Sequence, residues 1–219
     1  MIFINFKTYE QGSGGNALLL TAVLEEVATE TQIKIIPVVQ AADIKEVVQS
    51  TKLEVWTQTI DPVEFGAHTG AVLPEAVKED GASGTFLNHS ENKFADYEKL
   101  KLAVKRAKEV NLKTLIFADD TKELEKVSVL YPDFVSYEPP ELVGSETASV
   151  ATAHPEVIKK AAEISKGKGL PLIAGAGIHS REDVKKSMEL GAVGVAVASG
   201  VVKADNPKEK LQDLTEGFK

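Results

Sequence analysis

Short apolar runs recur along the chain, and segments with helical spacing separate them. The runs are Ile2–Phe6, Ile33–Val39, Leu53–Gln58, Gly84–Asn88, Thr114–Ala118, Phe134–Glu138, Leu170–Ala174 and Val193–Ala198. Most alternate little with polar residues, as expected of parallel strands covered on both faces. Leu53–Gln58 is the most polar of them. Between the runs, Leu100, Ala103, Val104, Ala107 and Val110 fall on one helical stripe. Ser180 is placed to cap a helix over 181–190, with Asp183 three residues on and Gly191 at its end. Ala17–Thr29, Asp43–Ser50, Glu75–Asp80, Thr121–Leu130, Val157–Ser165 and Lys208–Gly217 supply the other helices.

Strands that alternate with helices imply βαβ units and a parallel sheet. Such a sheet either closes into a (β/α)8 barrel or stays open and doubly wound. Eight matched units with no break in composition favour a single barrel domain over residues 1–219. No Gly-x-Gly-x-x-Gly follows the first strand, which disfavours a dinucleotide fold. The Gly12-Ser-Gly-Gly15 patch reads as a loop that opens the first helix.

Composition narrows the chemistry. The 219 residues include no cysteine, which excludes thiolate metal sites, iron–sulfur clusters and cysteine nucleophiles. The net charge of −8 gives no electrostatic reason to coat nucleic acid or an anionic membrane. An anionic ligand would therefore need a local binding device. No run of apolar residues is long enough for a membrane span, and Met1–Asn5 is too short for a signal peptide. The expectation is a cytoplasmic protein. No two histidines have metal-ligand spacing, so no metal site is expected.

In a barrel of this kind chemistry sits at the C-terminal ends of the strands. The first strand ends in Asn5-Phe-Lys7, and a period of two puts Asn5 and Lys7 on one face. A lysine there is costly unless it meets an anion, which a structural ion pair or a ligand could supply. The fourth strand leads into His89, readable alone as a core histidine or a site residue. Glu138 closes an apolar strand before Pro139 and Pro140, as a rim ion pair or a functional carboxylate. Gly175-Ala-Gly177 and Ala198-Ser-Gly200 end the last two strands. Small residues let backbone N–H groups approach a ligand, and two such turns together form a plausible phosphate cradle. His68 falls in a surface or interface loop, while His154 and His179 flank helix starts.

These pieces carry a resemblance. Asn5-Phe-Lys-Thr-Tyr9, Gly66-Ala-His-Thr-Gly70, Val72-Leu-Pro-Glu-Ala-Val77, Leu87-Asn-His-Ser-Glu91, Tyr137-Glu-Pro-Pro-Glu-Leu142, Gly175-Ala-Gly-Ile178 and Ala198-Ser-Gly-Val201 stand in the order of the triosephosphate isomerase family. The chain most resembles the family's short archaeal type, over essentially its whole length. The resemblance implies cofactor-free interconversion of dihydroxyacetone phosphate and D-glyceraldehyde 3-phosphate. It makes Glu138 the base and His89 the electrophile, with Lys7 stabilising the enediolate and binding substrate and Asn5 beside it. Gly177, Ala198, Ser199 and Val143 would hold the phosphate through backbone N–H groups. A carboxylate base beside a neutral imidazole is established chemistry in this family. His89 precedes Ser90-Glu91 at an expected helix start, which would disfavour an imidazolium. The loop over Ile60–Gly70 would serve assembly, as a homodimer or homotetramer. Two alternatives compete: another phosphate-binding barrel isomerase or epimerase, and a non-catalytic sugar-phosphate-binding barrel. An epimerase would call for paired acids and metal-binding histidines at strand ends, which are missing.

The resemblance also implies a lid after Glu138, with Pro139-Pro140-Glu141 as its leading hinge and Val143-Gly144 as its tip. The chain departs from the family there: Gly144-Ser-Glu146 stands where Gly-Thr-Gly is usual. Glu146 adds negative charge near a phosphate loop and restricts the backbone. Glu146→Gly is expected to lower KM or raise kcat, as steady-state kinetics would show; unchanged kinetics would mean that Glu146 points to solvent.

Overall fold

The structure is a computed structural model and describes residues 1–138 and 155–219. Eight parallel strands form a closed ring in sequence order: β1 (Ile2–Asn5), β2 (Ile35–Val39), β3 (Trp56–Thr57), β4 (Gly84–Leu87), β5 (Lys113–Ala118), β6 (Phe134–Tyr137), β7 (Leu172–Ala174) and β8 (Gly194–Val197). β8 pairs with β1 through Ile2–Val195, Phe3–Ala196 and Ile4–Val197, which completes the ring. The expected strands are all present, seven with trimmed ends and β5 beginning one residue earlier than expected, at Lys113. The largest trim is at the polar third run, where only Trp56 and Thr57 pair.

Helices among the described residues are α1 (Gly15–Thr31), α2 (Ile44–Ser50), α3 (Pro74–Glu79), α4 (Tyr97–Glu109), α5 (Thr121–Ser128), α6 (Pro155–Gly167), α7 (Arg181–Glu189), α8 (Ser199–Val202) and α9 (Pro207–Glu216). Ser180 caps α7 as expected, in a reciprocal pair with Asp183. Leu190 is the last half-helical residue, and Gly191 follows it with φ +104°. The one-turn helix α8 has no counterpart in the sequence pattern, since four residues carry no periodicity.

The period of two sorts the strand residues into two cores. Ile2, Ile4, Ile35 and Val39 pack outward under the helices, together with Leu24, Val27, Leu211 and Leu214. Phe3, Ile36, Val38, Trp56, Phe86, Leu115, Phe117, Ile173 and Ala196 fill the barrel. Aromatic rings dominate that interior: Phe3 lies 5.0 Å from Trp56 and 5.7 Å from Phe86, edge-on or tilted. The indole needs room that one glycine provides. A Cβ at Gly84 would overlap the Trp56 ring, so β4 must start with glycine.

A carboxylate secures the N-terminal rim. Glu54 Oε1 accepts from Trp56 Nε1 and Lys113 Nζ, both at 3.0 Å, and Oε2 accepts from Lys34 Nζ at 2.5 Å. Burial opposes the charge, but these bonds outweigh it and hold the Glu54 carboxyl down at about 2. Glu54→Ala is expected to cost about 2 kcal/mol near neutral pH, because it leaves the Trp56 N–H without an acceptor. The folded carboxyl titrates below the unfolded one. Its contribution is therefore complete above about pH 4.5 and fades as pH falls towards 2. Urea unfolding of both proteins near pH 7 and near pH 3 checks this: the gap between them should narrow at the lower pH.

Candidate active site

Asn5, Lys7, His89, Glu138, Gly177, Ala198 and Ser199 converge on one cleft at the C-terminal mouth of the barrel. Val143, together with the Pro139–Glu146 hinge and tip and His154, lies outside the described residues. Strand alternation delivers several of the group. Asn5 follows Phe3 at a spacing of two, Glu138 follows Phe134 and Ser136, and Ala198 follows Ala196.

Glu138 is 6 % exposed, and its Oε2 lies 3.5 Å from His89 Nε2. A Cβ on Gly175 would overlap Glu138 Oε1, so the glycine that ends β7 makes the space the carboxylate occupies. Burial pushes the Glu138 carboxyl up to about 8. Lys7 pulls against this rise, while Glu91 and Asp119 add to it.

His89 is held neutral. Burial lowers its pKa to about 4, helped by Lys7 and opposed by Glu91. The Glu91 N–H donates to His89 Nδ1 at 3.2 Å, so Nδ1 is the acceptor and the ring proton resides on Nε2. That proton faces Glu138. The expected helix start at Ser90-Glu91 is not found: Asn92 N–H bonds the His89 carbonyl in a single turn, and α4 begins only at Tyr97, capped by Asp96. One backbone N–H thus does what the sequence assigned to a helix terminus. The chain from Ser90 runs through turns and bends to Asp96, whose side chain accepts from the Lys99 N–H and opens the helix there.

Lys7 adopts a left-handed backbone, φ +48°. Its N–H donates to Asn5 Oδ1 at 3.0 Å and its carbonyl accepts from Gln58 Nε2 at 2.8 Å, which hold that conformation. Its Nζ meets Glu91 Oε1 at 2.6 Å. Lys7 thus has the ion-pair partner that one reading asked for, and it also lines the cleft. Glu91 and Gln58 were missed by the sequence reasoning. An inward lysine in a barrel mouth demands an anion, and Glu91, two residues past His89, was the available signal.

Opposite these groups, Ala176 and Gly177 take positive φ of 65° and 68°. Ser199 opens α8 directly after Ala198. Their backbone edges the cleft beside His179, which the sequence read only as flanking a helix start. His179 precedes the α7 cap, and its N–H donates to Asp183 Oδ2 at 3.0 Å. Among the described residues, no group of three or more His, Asp or Glu side chains could hold a metal ion. No helix among them is long and apolar enough to cross a membrane.

A parallel eight-stranded barrel with a buried carboxylate facing a neutral imidazole at its C-terminal mouth defines a class of proton-transfer site. Comparison with known proteins narrows the class. The family model described as triosephosphate isomerase matches residues 1–216. The chain is 42 % identical to a triosephosphate isomerase of Saccharolobus solfataricus, covering 98 % of this chain and 94 % of that one. Identity to the triosephosphate isomerase of Metallosphaera sedula is 43 %, over 99 % and 95 % of the two chains. A solved structure of triosephosphate isomerase from Bartonella henselae superposes with a TM-score of 0.72 at 16 % identity, over 92 % of each chain, which bears on the fold alone. The chain belongs to the triosephosphate isomerase family, and with it to the isomerases; the epimerase and non-catalytic readings are not favoured.

The imidazole is expected to stay uncharged through the working pH range. 15N NMR of His89 should show one neutral tautomer, protonated at Nε2, from about pH 5 upward. A titration near the ordinary histidine value of about 6.5 would contradict the burial and Lys7 effects described here.

Proposed function

We propose that the chain interconverts dihydroxyacetone phosphate and D-glyceraldehyde 3-phosphate, a step of glycolysis and gluconeogenesis, with Glu138 as base and His89 as electrophile. What carries this reading is the 3.5 Å approach of the Glu138 carboxylate to His89 Nε2, with both side chains buried.

The chemistry balances without a cofactor. Ionised Glu138 takes the proton from carbon 1 of the ketone, and the carbonyl π-electrons move onto oxygen. His89 Nε2–H and Lys7 Nζ stabilise that developing oxyanion, and Asn5 lies beside Lys7 to hold it. The proton on oxygen 1 then passes to oxygen 2 by way of His89 Nε2, and Glu138 returns its proton to carbon 2 as the electrons on oxygen 1 form the aldehyde carbonyl. A desolvated carboxylate is a stronger base than an exposed one, which suits abstraction from carbon. A neutral imidazole donates without adding a charge that the buried acid would quench.

The phosphate belongs on backbone N–H groups of Gly177, Ala198 and Ser199, with Val143 from the lid. Uncharged donors fit an acidic chain whose Lys7 is already paired with Glu91. We further assign residues 1–219 to one barrel domain. The loop at Ile60–Gly70 exposes Phe65 and suits docking into a second copy as a homodimer or homotetramer. A cytoplasmic location goes with the proposed triose phosphate chemistry.

Glu138→Gln is expected to lower kcat by about 10³-fold, and Lys7→Ala to lower kcat/KM by about 10²-fold or more. A coupled assay of glyceraldehyde 3-phosphate turnover measures both. Activity of Glu138→Gln within tenfold of the wild type would remove the base. In the same assay, kcat/KM should fall towards acid along a limb well above the usual carboxylate range, because the reactive form of Glu138 is the ionised one.

A further inference from the structure

His89 reaches the cleft against the alternation of its own strand. Phe86 of β4 points into the barrel, so a period of two assigns the next inward place to Asn88. Asn88 instead takes φ +61°, a left-handed conformation that asparagine tolerates better than most residues. That turn brings the following residue, His89, round to face Glu138.

A network outside the cleft fixes the turn. Asn88 Nδ2 donates to the Phe117 carbonyl at 3.1 Å and to Glu123 Oε1 at 3.0 Å. Its Oδ1 accepts from the Phe94 N–H at 3.4 Å. Glu123 stands in the first turn of α5, and its Oε2 accepts the Asp119 N–H at 2.8 Å. Lys93 Nζ bonds both Glu123 oxygens, at 2.9 and 2.8 Å, and meets Asp119 Oδ2 at 2.6 Å. Phe117, whose carbonyl receives Asn88, also sets its ring against His89, with centroids 4.9 Å apart at 75°. None of Asn88, Lys93, Asp119 or Glu123 lines the cleft. Cap geometry does not call for this arrangement, since Asp120 already caps α5 through the Glu123 N–H at 2.7 Å.

We propose that Glu123, braced by Lys93, is a positioning residue for the reaction: through Asn88 it holds the left-handed turn that aims His89 Nε2 into the cleft. The proposal rests on the reading of His89 as electrophile. A carboxylate with three donors at the base of α5 ties the end of β5 to the end of β4. Loss of that tie frees the turn to relax towards ordinary strand geometry, which swings the imidazole towards the wall.

The test uses the full chain with Glu123→Ala, Glu123→Gln and Asn88→Gly, and His89→Gln as a control. Glycine permits the left-handed backbone without strain but loses all three side-chain bonds that hold it there. Glutamine keeps shape and one acceptor. Displacing a catalytic group by about 1 Å costs on the order of 10²-fold in rate. Accordingly Glu123→Ala and Asn88→Gly should lose about that much kcat, with KM changed less than about threefold, and Glu123→Gln should lose less. The 15N signals of His89 should change from one Nε2–H tautomer to a mixture in the first two variants. A merely structural role would lower Tm and leave kcat and those signals alone. Folded Glu123→Gln and Asn88→Gly with wild-type kcat and an unchanged His89 tautomer would overturn the proposal, while His89→Gln still loses turnover. Full turnover in His89→Gln would overturn the underlying reading and this proposal with it.

Discussion

Keeping a carboxylate away from water, with a neutral partner facing it, is the constraint around which the mouth of this barrel is arranged. Glu138 fits only because Gly175 has no side chain. Its neighbour His89 stays uncharged because a backbone N–H occupies Nδ1 and the ring is itself buried. Had His89 been cationic, it would have formed a plain ion pair with Glu138 and lowered its basicity. The cation that is present, Lys7, is held by Glu91, so its charge is felt by both groups without contact to either. The result is a site in which the strongest electrostatic effect is the absence of solvent.

Most of the fold can be read from the apolar runs, because a strand buried on both faces has little choice of composition. β1, β2, β5 and β8 are such cases. β3 is less legible: its strand is two residues long, and its identity rests on Trp56 filling the barrel against Gly84. That contact pairs residues far apart in sequence, and no periodicity reports it. At the site, Asn5 and Glu138 follow from spacing alone. His89 does not, since strict alternation gives its place to Asn88. Only the motif likeness put it there, and the physical reason is a dihedral angle. The helix expected at Ser90 is a related case. Polar residues after a strand signal a cap, but the cap that matters is Asp96, one turn of chain later.

The acidic total is compatible with an anionic substrate because whole-chain charge acts weakly across a screened distance of about 8 Å in physiological salt. What counts is the inventory within the mouth. There β7 and β8 lead into small residues, and Gly177 and Ser199 line the cleft. No arginine lines that cleft among the described residues, so Glu91 has Lys7 as its cation there.

Ring closure has a consequence for synthesis. β1 leaves the ribosome before the other seven strands, and β2 soon covers one of its edges, but the other edge waits for β8, which begins only at Gly194. Until then the nascent sheet has an open flank of unpaired amides beside Ile2, Phe3 and Ile4, the kind of edge that recruits foreign strands. Translation of this chain therefore carries an exposed seam until β8 has been made, and that strand acts as the closing stave.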